Sequence, residues 1–294
     1  MIRADAVDIL VDLSGHTPGN RLLAFARRPA PVQVTWNGYP NTTGMTGIDY
    51  RITDALCDPP GATEHLHAEK LARLPAVYMA WRPPDDAPDT GPPPALAAKR
   101  VTFGSFNSCY KLTPDLIALW SRILQRLPES RLMLLTIGAG AAERRIRELF
   151  AQHGIAAPRL DIRPRVTHEE FLAAHNGVDI ALDAFPYHGT TTTCFSLWMG
   201  LPVVTLAGAT HVSRVGVSLL GNAGLREFVA NNADDYVDIA VKLALDLPRL
   251  AALRAKLRGV LLDSPLTDGA ICARNLERAF REMWAAYCKE RGTR

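Results

Sequence analysis

The residues best suited by type and spacing to chemistry form one run, Phe185 to Thr193, which reads Phe-Pro-Tyr-His-Gly and then four threonines. It follows a strand-like segment, Asp179 to Asp183, and leads into a helix-like one ending Leu197-Trp198-Met199-Gly200. A strand, a glycine-containing turn and hydroxyls at a helix start make an anion site. The first backbone N–H groups of a helix lack intrahelical acceptors, and the helix dipole favours negative charge there. Threonine suits such a start better than a helix interior. The same pattern also describes an ordinary capped helix without a ligand, and the run alone leaves both readings open.

Other segments position this run. Val7 to Leu13 reads as a buried strand ending in the turn-rich Ser14-Gly15-His16-Thr17-Pro18-Gly19-Asn20. Arg21 to Arg27 is a short helix candidate, Val32 to Trp36 a β-branched strand, and Asn37 to Gly44 a second loop. Tyr50 to Thr53 is a further short strand. Residues 83–98 gather Pro83, Pro84, Pro88, Pro92, Pro93 and Pro94 and read as a linker. Beyond them strands and helices alternate: strand Val101–Phe106, helix Pro114–Leu127 with Thr113 as N-cap, strand Leu132–Thr136, and helix Ala141–His153. Strand Leu160–Ile162, helix His168–Asn176, the threonine helix, strand Pro202–Leu206 and a helix over Ser213–Leu220 follow. Such alternation implies an α/β protein with a doubly wound parallel sheet that binds ligands at the carboxyl ends of its strands. Three more helical segments close the chain, the last over about Asp268–Arg291. The expected division is a partial domain over 1–82, the linker, a complete domain over 99–267 and a closing helix over 268–294.

At 294 residues, 48% hydrophobic and 21% charged, the chain has the composition of a globular protein of two domains. The net charge of +3 argues neither for a nucleic-acid surface nor for an acidic-partner specialist. No apolar run reaches membrane-spanning length, and no secretory signal opens the chain. The five scattered cysteines fit neither a zinc site nor a disulfide framework, so the expected location is the cytoplasm, with no membrane and no nucleic acid as partners.

Taken in order, several segments resemble the catalytic region of the O-linked N-acetylglucosamine transferase family, including its bacterial SPINDLY-like members. They are Asp8 to Thr17, Arg28 to Gln33, Trp36 to Pro40, Phe103 to Asn107, Lys111, Tyr187 to Thr193, Leu197 to Thr205, and Ser213-Arg214-Val215. The resemblance implies a GT-B fold, with a truncated first Rossmann-like domain before the complete second one. It implies inverting transfer from a UDP-sugar, N-acetylglucosamine in the first instance, to serine or threonine of an acceptor protein. The UDP-sugar is the donor substrate, and neither a cofactor nor a metal is expected.

The resemblance also assigns roles. Lys111 matches the lysine that binds the diphosphate and stabilises the leaving UDP; by position alone it reads as a solvated loop lysine. Thr190, Thr191 and Thr192 align with a His-Thr-Thr run at the diphosphate, Thr190 replacing the histidine. His188 is a possible substitute donor, although turn histidines are more often only solvated. Val166 matches a position whose backbone meets the uracil. His168 stands where animal members carry a lysine near the nucleotide, and Ser108 where they carry a glutamine. Gly38, Tyr39 and Pro40, with Thr42 and Thr43, resemble the first-domain loop that faces the donor sugar; a plain Gly/Pro turn is the other reading. His16 is a candidate base, against the ordinary behaviour of a lone loop histidine. Arg214 reads as support for the fold or the phosphate loop, and Trp198 and Met199 as core residues.

Two departures stand out. Phe195 replaces an acidic residue that accepts hydrogen bonds from ribose hydroxyls. The chain also begins after the family's first strands and helical repeats, which predicts a first domain with one sheet face uncovered. Two alternatives follow: a related transferase with another nucleotide sugar, or a non-catalytic nucleotide-sugar-binding module.

Overall fold

The computed structural model describes residues 2–292. They form two compact units. The first takes residues 2–80, 209–214 and 268–292; the second takes residues 81–208 and 215–267. Among the described residues no helix is long and apolar enough to cross a membrane.

The first unit is a four-stranded parallel sheet in sequential order: β1 (Ile9–Asp12), β2 (Val32–Thr35), β3 (Tyr50–Asp54) and β4 (Lys70–Leu74). The short helix α1 (Leu22–Phe25) connects β1 to β2. Strand side chains alternate between faces. One set, Val32, Val34, Ile52 and Leu74, packs against the closing helix Gly269–Arg291. That helix contributes Leu276, Ala279, Phe280, Met283, Trp284 and Tyr287. Their three- and four-residue spacing makes one apolar stripe, which the sheet covers. On the opposite face sit Leu22, Phe25 and Ile48, with Leu10 and Met45 against them. The sheet is therefore covered on both faces, contrary to the expectation of a bare one, because a helix more than two hundred residues along the chain supplies the missing layer.

Segment 209–214 is held in this unit by a buried polar cluster. The Asp58 carboxylate accepts hydrogen bonds from His211 Nδ1 at 2.6 Å, His67 Nε2 at 3.3 Å and Thr53 Oγ1. Cys57 Sγ lies 3.4 Å from His211 Nδ1. Burial works to raise the Asp58 pKa, but the hydrogen bonds from His211 and His67 prevail and hold it well below the usual carboxylate range. Burial, with the charges of Asp54 and Asp58 behind it, pushes the Cys57 thiol well up. Ligand atoms around a tetrahedral zinc stand about 3.4 Å apart on its usual bond lengths. The 2.6 Å contact is instead a hydrogen bond, so geometry makes this a polar tie. Arg214 Nε adds a bond to the Leu56 carbonyl, the supporting role expected for it.

The second unit holds a six-stranded, all-parallel sheet. In chain order its elements are α2 (Ala95–Ala98), β5 (Thr102–Ser105), α3 (Pro114–Arg126), β6 (Arg131–Leu134), α4 (Ala141–Gln152) and β7 (Leu160–Ile162). Then come α5 (His168–Ala174), β8 (Ile180–Leu182), α6 (Thr191–Trp198), β9 (Val203–Leu206), α7 (Val215–Asn222), β10 (Val229–Ala230), α8 (Ala233–Leu245) and α9 (Leu247–Leu262). The strand order is β10-β9-β8-β5-β6-β7. The direction of winding thus reverses between β5 and β8, and at such a switch point the loops leaving the two strands diverge and open a crevice. Both loops carry residues singled out in the sequence.

The proline-rich stretch before α2 is strapped to this unit. Arg254 Nε donates to the Gly91 carbonyl at 2.7 Å, Asn176 Nδ2 to that of Asp89 at 3.1 Å, and Arg258 Nη2 to that of Pro88. Asp179 receives the Ala95 amide at 3.0 Å.

Candidate functional site

The loop leaving β8 is built on Asp183. Its carboxylate accepts the amides of Ala184 at 2.9 Å and Gly189 at 2.7 Å, and the Thr205 hydroxyl of β9 at 2.8 Å. Its backbone carbonyl receives the Tyr236 hydroxyl, which in turn accepts from Trp120 Nε1. His188 is buried inside this framework. Its Nε2 donates to the Leu206 carbonyl at 2.9 Å, and its Nδ1 accepts the Gly216 amide at 3.0 Å. This corrects the reading of His188 as a solvated turn residue or substitute donor: both ring nitrogens hold the loop in shape.

Lys111 lies in the turn after β5. Its Nζ donates to the His188 carbonyl at 2.8 Å and to Asn107 Oδ1 at 3.3 Å. Thr192 Oγ1 donates to the same Asn107 oxygen at 3.2 Å. The switch point thus joins Lys111 to the threonine run through Asn107, to which sequence reasoning gave no role. Gly189 is required there, since a Cβ on it would fall 2.3 Å from Thr192 Oγ1. Burial lowers the Lys111 pKa below its ordinary value, and the Asp183 charge opposes the fall.

At the start of α6 the structure departs from the expected cap. Thr190 occupies the N-cap position, but no side chain caps the helix. Thr192 bonds to Asn107, and Thr193 Oγ1 bonds back to the Gly189 carbonyl at 3.1 Å. Thr191 is exposed. The hydroxyls leave the first-turn amides uncapped, and the turn holds no acidic residue.

Beside this start lies a cavity of about 540 Å³ lined by Phe106, Ser108, Cys109, Tyr110, Thr136, Arg165, Val166, Thr167, His168, Phe171 and Thr192. The structure therefore brings Ser108, Val166, His168 and Thr192 onto one wall system. Phe195 packs edge-on against Phe171 and His168, with ring centroids 5.5 and 5.7 Å apart, and against Trp81 at 5.5 Å. The position expected to be acidic is thus part of an aromatic cluster. Met199 is fully buried as expected; Trp198 is half-buried with Arg258 over its ring.

In the first unit, Asp12 repeats the device of Asp183. It accepts the amides of Ser14 at 3.1 Å and Gly15 at 2.8 Å, and the Thr35 hydroxyl of the neighbouring strand at 2.9 Å. The loop it shapes presents His16, whose Nε2 donates to the Thr43 carbonyl at 2.8 Å and whose ring meets Tyr39 edge-on at 5.2 Å. Gly38 has φ +43°, and a Cβ there would lie 2.2 Å from the Leu13 carbonyl oxygen, so this loop needs glycine. Tyr39 and Asn41 give their carbonyls to the buried Arg51, which fixes the backbone on both sides of Pro40. The Thr42 and Thr43 hydroxyls are committed to Glu69, which removes them from the residues available to a sugar.

Residues 1–81 and 94–276 match glycosyl transferase family 41. A Petunia hybrida protein named probable UDP-N-acetylglucosamine–peptide N-acetylglucosaminyltransferase SPINDLY is 48% identical over 98% of this chain. Its Arabidopsis thaliana counterpart is 47% identical over the same share. The chain spans about a third of the length of these relatives, 31% and 32%. Among solved structures, a mutant Thermobaculum terrenum O-GlcNAc transferase superimposes with a TM-score of 0.91 at 41% identity, over 98% of this chain and 55% of that one. Sucrose-phosphate synthase from Thermosynechococcus elongatus shares the fold alone, at 12% identity and a TM-score of 0.56 over 86% of this chain and 68% of that one. The architecture is α/β, of the GT-B class.

Proposed function

Because the chain belongs to glycosyl transferase family 41, we propose that it is the donor-binding catalytic region of a protein O-GlcNAc transferase, moving N-acetylglucosamine from UDP-GlcNAc to serine or threonine of an acceptor protein. The observation that carries this reading is the meeting of Lys111, Asn107 and Thr192 with the uncapped start of α6 at the switch point.

In this reading the diphosphate sits at the α6 start, and the nucleoside enters the cavity walled by Ser108, Val166 and His168. The acceptor hydroxyl attacks the anomeric carbon from the face opposite UDP, inverting it. As the sugar–phosphate bond breaks, negative charge grows on the departing phosphate. In this reading the Lys111 ammonium and the α6 amides meet such charge with little reorganisation. That fixed cation does the work a metal would otherwise do. The resemblance assigns the loop of Gly38, Tyr39 and Pro40 to the donor sugar. His16 is the candidate base, with Nδ1 the nitrogen that would take a proton, since its Nε2–H is committed to the Thr43 carbonyl.

Calorimetry with UDP and UDP-GlcNAc tests the reading. Saturable binding that Lys111→Ala removes supports it; binding unaffected by Lys111→Ala overturns it. One observation favours a second reading, a related transferase with another nucleotide sugar. Phe195 offers a ring where a ribose hydroxyl would need a carboxylate, so nucleoside recognition rests on other groups. Turnover with a panel of nucleotide sugars separates the two.

A further inference from the structure

Lys111 has an aromatic neighbour that none of the preceding roles uses. Its Nζ stands 4.0 Å from the centroid of the Tyr187 ring. On its other sides it donates to the His188 carbonyl and to Asn107 Oδ1. An ammonium has three N–H donors and no acceptor. Two of these donors meet the two oxygens, and the Tyr187 ring lies beside the charge as a whole. The Tyr187 side chain is exposed.

We infer that Tyr187 is a positioning residue for the donor site, holding the Lys111 ammonium charged and aimed at the diphosphate through the face of its ring. The inference rests on the donor-site reading above. The physics is direct: the negative face of an aromatic ring attracts a cation and does nothing comparable for a neutral amine. The ring therefore favours the protonated lysine and fixes its place without competing for the phosphate oxygens. Burial pulls the other way, lowering the Lys111 pKa, with the Asp183 charge as counterweight. The remaining titratable groups nearby are His188, buried with both nitrogens engaged, and Cys109 and Tyr110 in the same turn as Lys111.

The test is UDP affinity as a function of pH, from neutral into the range where lysines deprotonate, for the full chain and four variants. Tyr187→Phe keeps the ring face, so the shift of the alkaline fall seen in the ring-less variants is absent from it. Tyr187→Leu and Tyr187→Met remove the ring. Each weakens UDP binding by about 3- to 30-fold and moves the alkaline fall in affinity to lower pH, because the neutral amine is reached sooner. Lys111→Ala removes the alkaline fall altogether. Equal weakening of the Leu and Met variants at every pH, or no weakening, overturns the role of Tyr187 while the donor site stands. Unchanged binding in Lys111→Ala overturns the donor-site reading itself, and this inference with it.

Discussion

Helices α6 and α8 both begin just after a strand of the same parallel sheet, and their beginnings are opposites. At α8, Asn232 receives the Asp235 amide on its side-chain oxygen at 2.9 Å, and Asp234 and Asp235 fill the first turn. Its orphan amides and its dipole are answered from within the chain. At α6, four threonines are at hand, yet none caps the helix and no acidic residue joins them. Asn107 and the Gly189 carbonyl take two of the hydroxyls away, and Lys111 stands close by. Under the proposed reading, the α6 start is the one left open for the donor, while the α8 start is closed from within its own sequence.

The strongest way to break this contrast is Lys111→Ala. It removes the cation beside the open start and is expected to cost roughly 100-fold or more in turnover, the usual scale for one oriented group facing developing charge. Steady-state kinetics, with circular dichroism to confirm folding, measures it.

Next in size is a pH effect confined to stability. His175 is buried, stacked on Phe106 with ring centroids 3.7 Å apart, and burial lowers its pKa from 6.5 to about 4 despite bonds to backbone carbonyls that favour the charged form. Unfolding lets the ring bind a proton that the folded state excludes. Stability is therefore full above pH 6.5 and falls as pH drops toward 4, by up to about 3 kcal/mol. His175→Phe should flatten that slope in urea unfolding at pH 7, 6 and 5. A slope unchanged in the variant would assign the effect elsewhere.

Thr192→Val acts on the open start alone. It removes the bond to Asn107 while keeping the side-chain shape, and should weaken UDP binding about 2- to 10-fold, the range for one hydrogen bond. Asn232→Ala is its counterpart at the closed start: a stability loss of about 1 kcal/mol, with UDP affinity unchanged. If Asn232→Ala weakened UDP binding as much as Thr192→Val, the two starts would not differ in the way described.

Local signals made much of the second unit legible. Thr113 caps α3 as its place before Pro114 suggests, accepting the Leu116 amide at 3.2 Å. The strands from β5 to β9 follow their apolar runs to within one or two residues. What escaped depends on partners far along the chain. Strand β4, Lys-Leu-Ala-Arg-Leu, lacks β-branched residues and is a strand because β3 pairs with it. The closing helix has a visible apolar stripe, but nothing local says which sheet covers it. His188 reads as a turn residue until Leu206 and Gly216 are brought to its ring. Asn107 stood within a recognised segment with no role, because its value is to be shared by Lys111 and Thr192, four and eighty-five positions away.

The placement of the closing helix sets an order of events as the chain leaves the ribosome. Domains tend to form as their residues emerge. All residues of the second unit are made before residue 268, whereas the first unit, begun earliest, needs Met283 and its neighbours to cover Val32, Val34 and Leu74. During synthesis that apolar sheet face is completed only after every residue of the second unit has been made. Of the two units, the one whose residues start first along the chain is the one completed last.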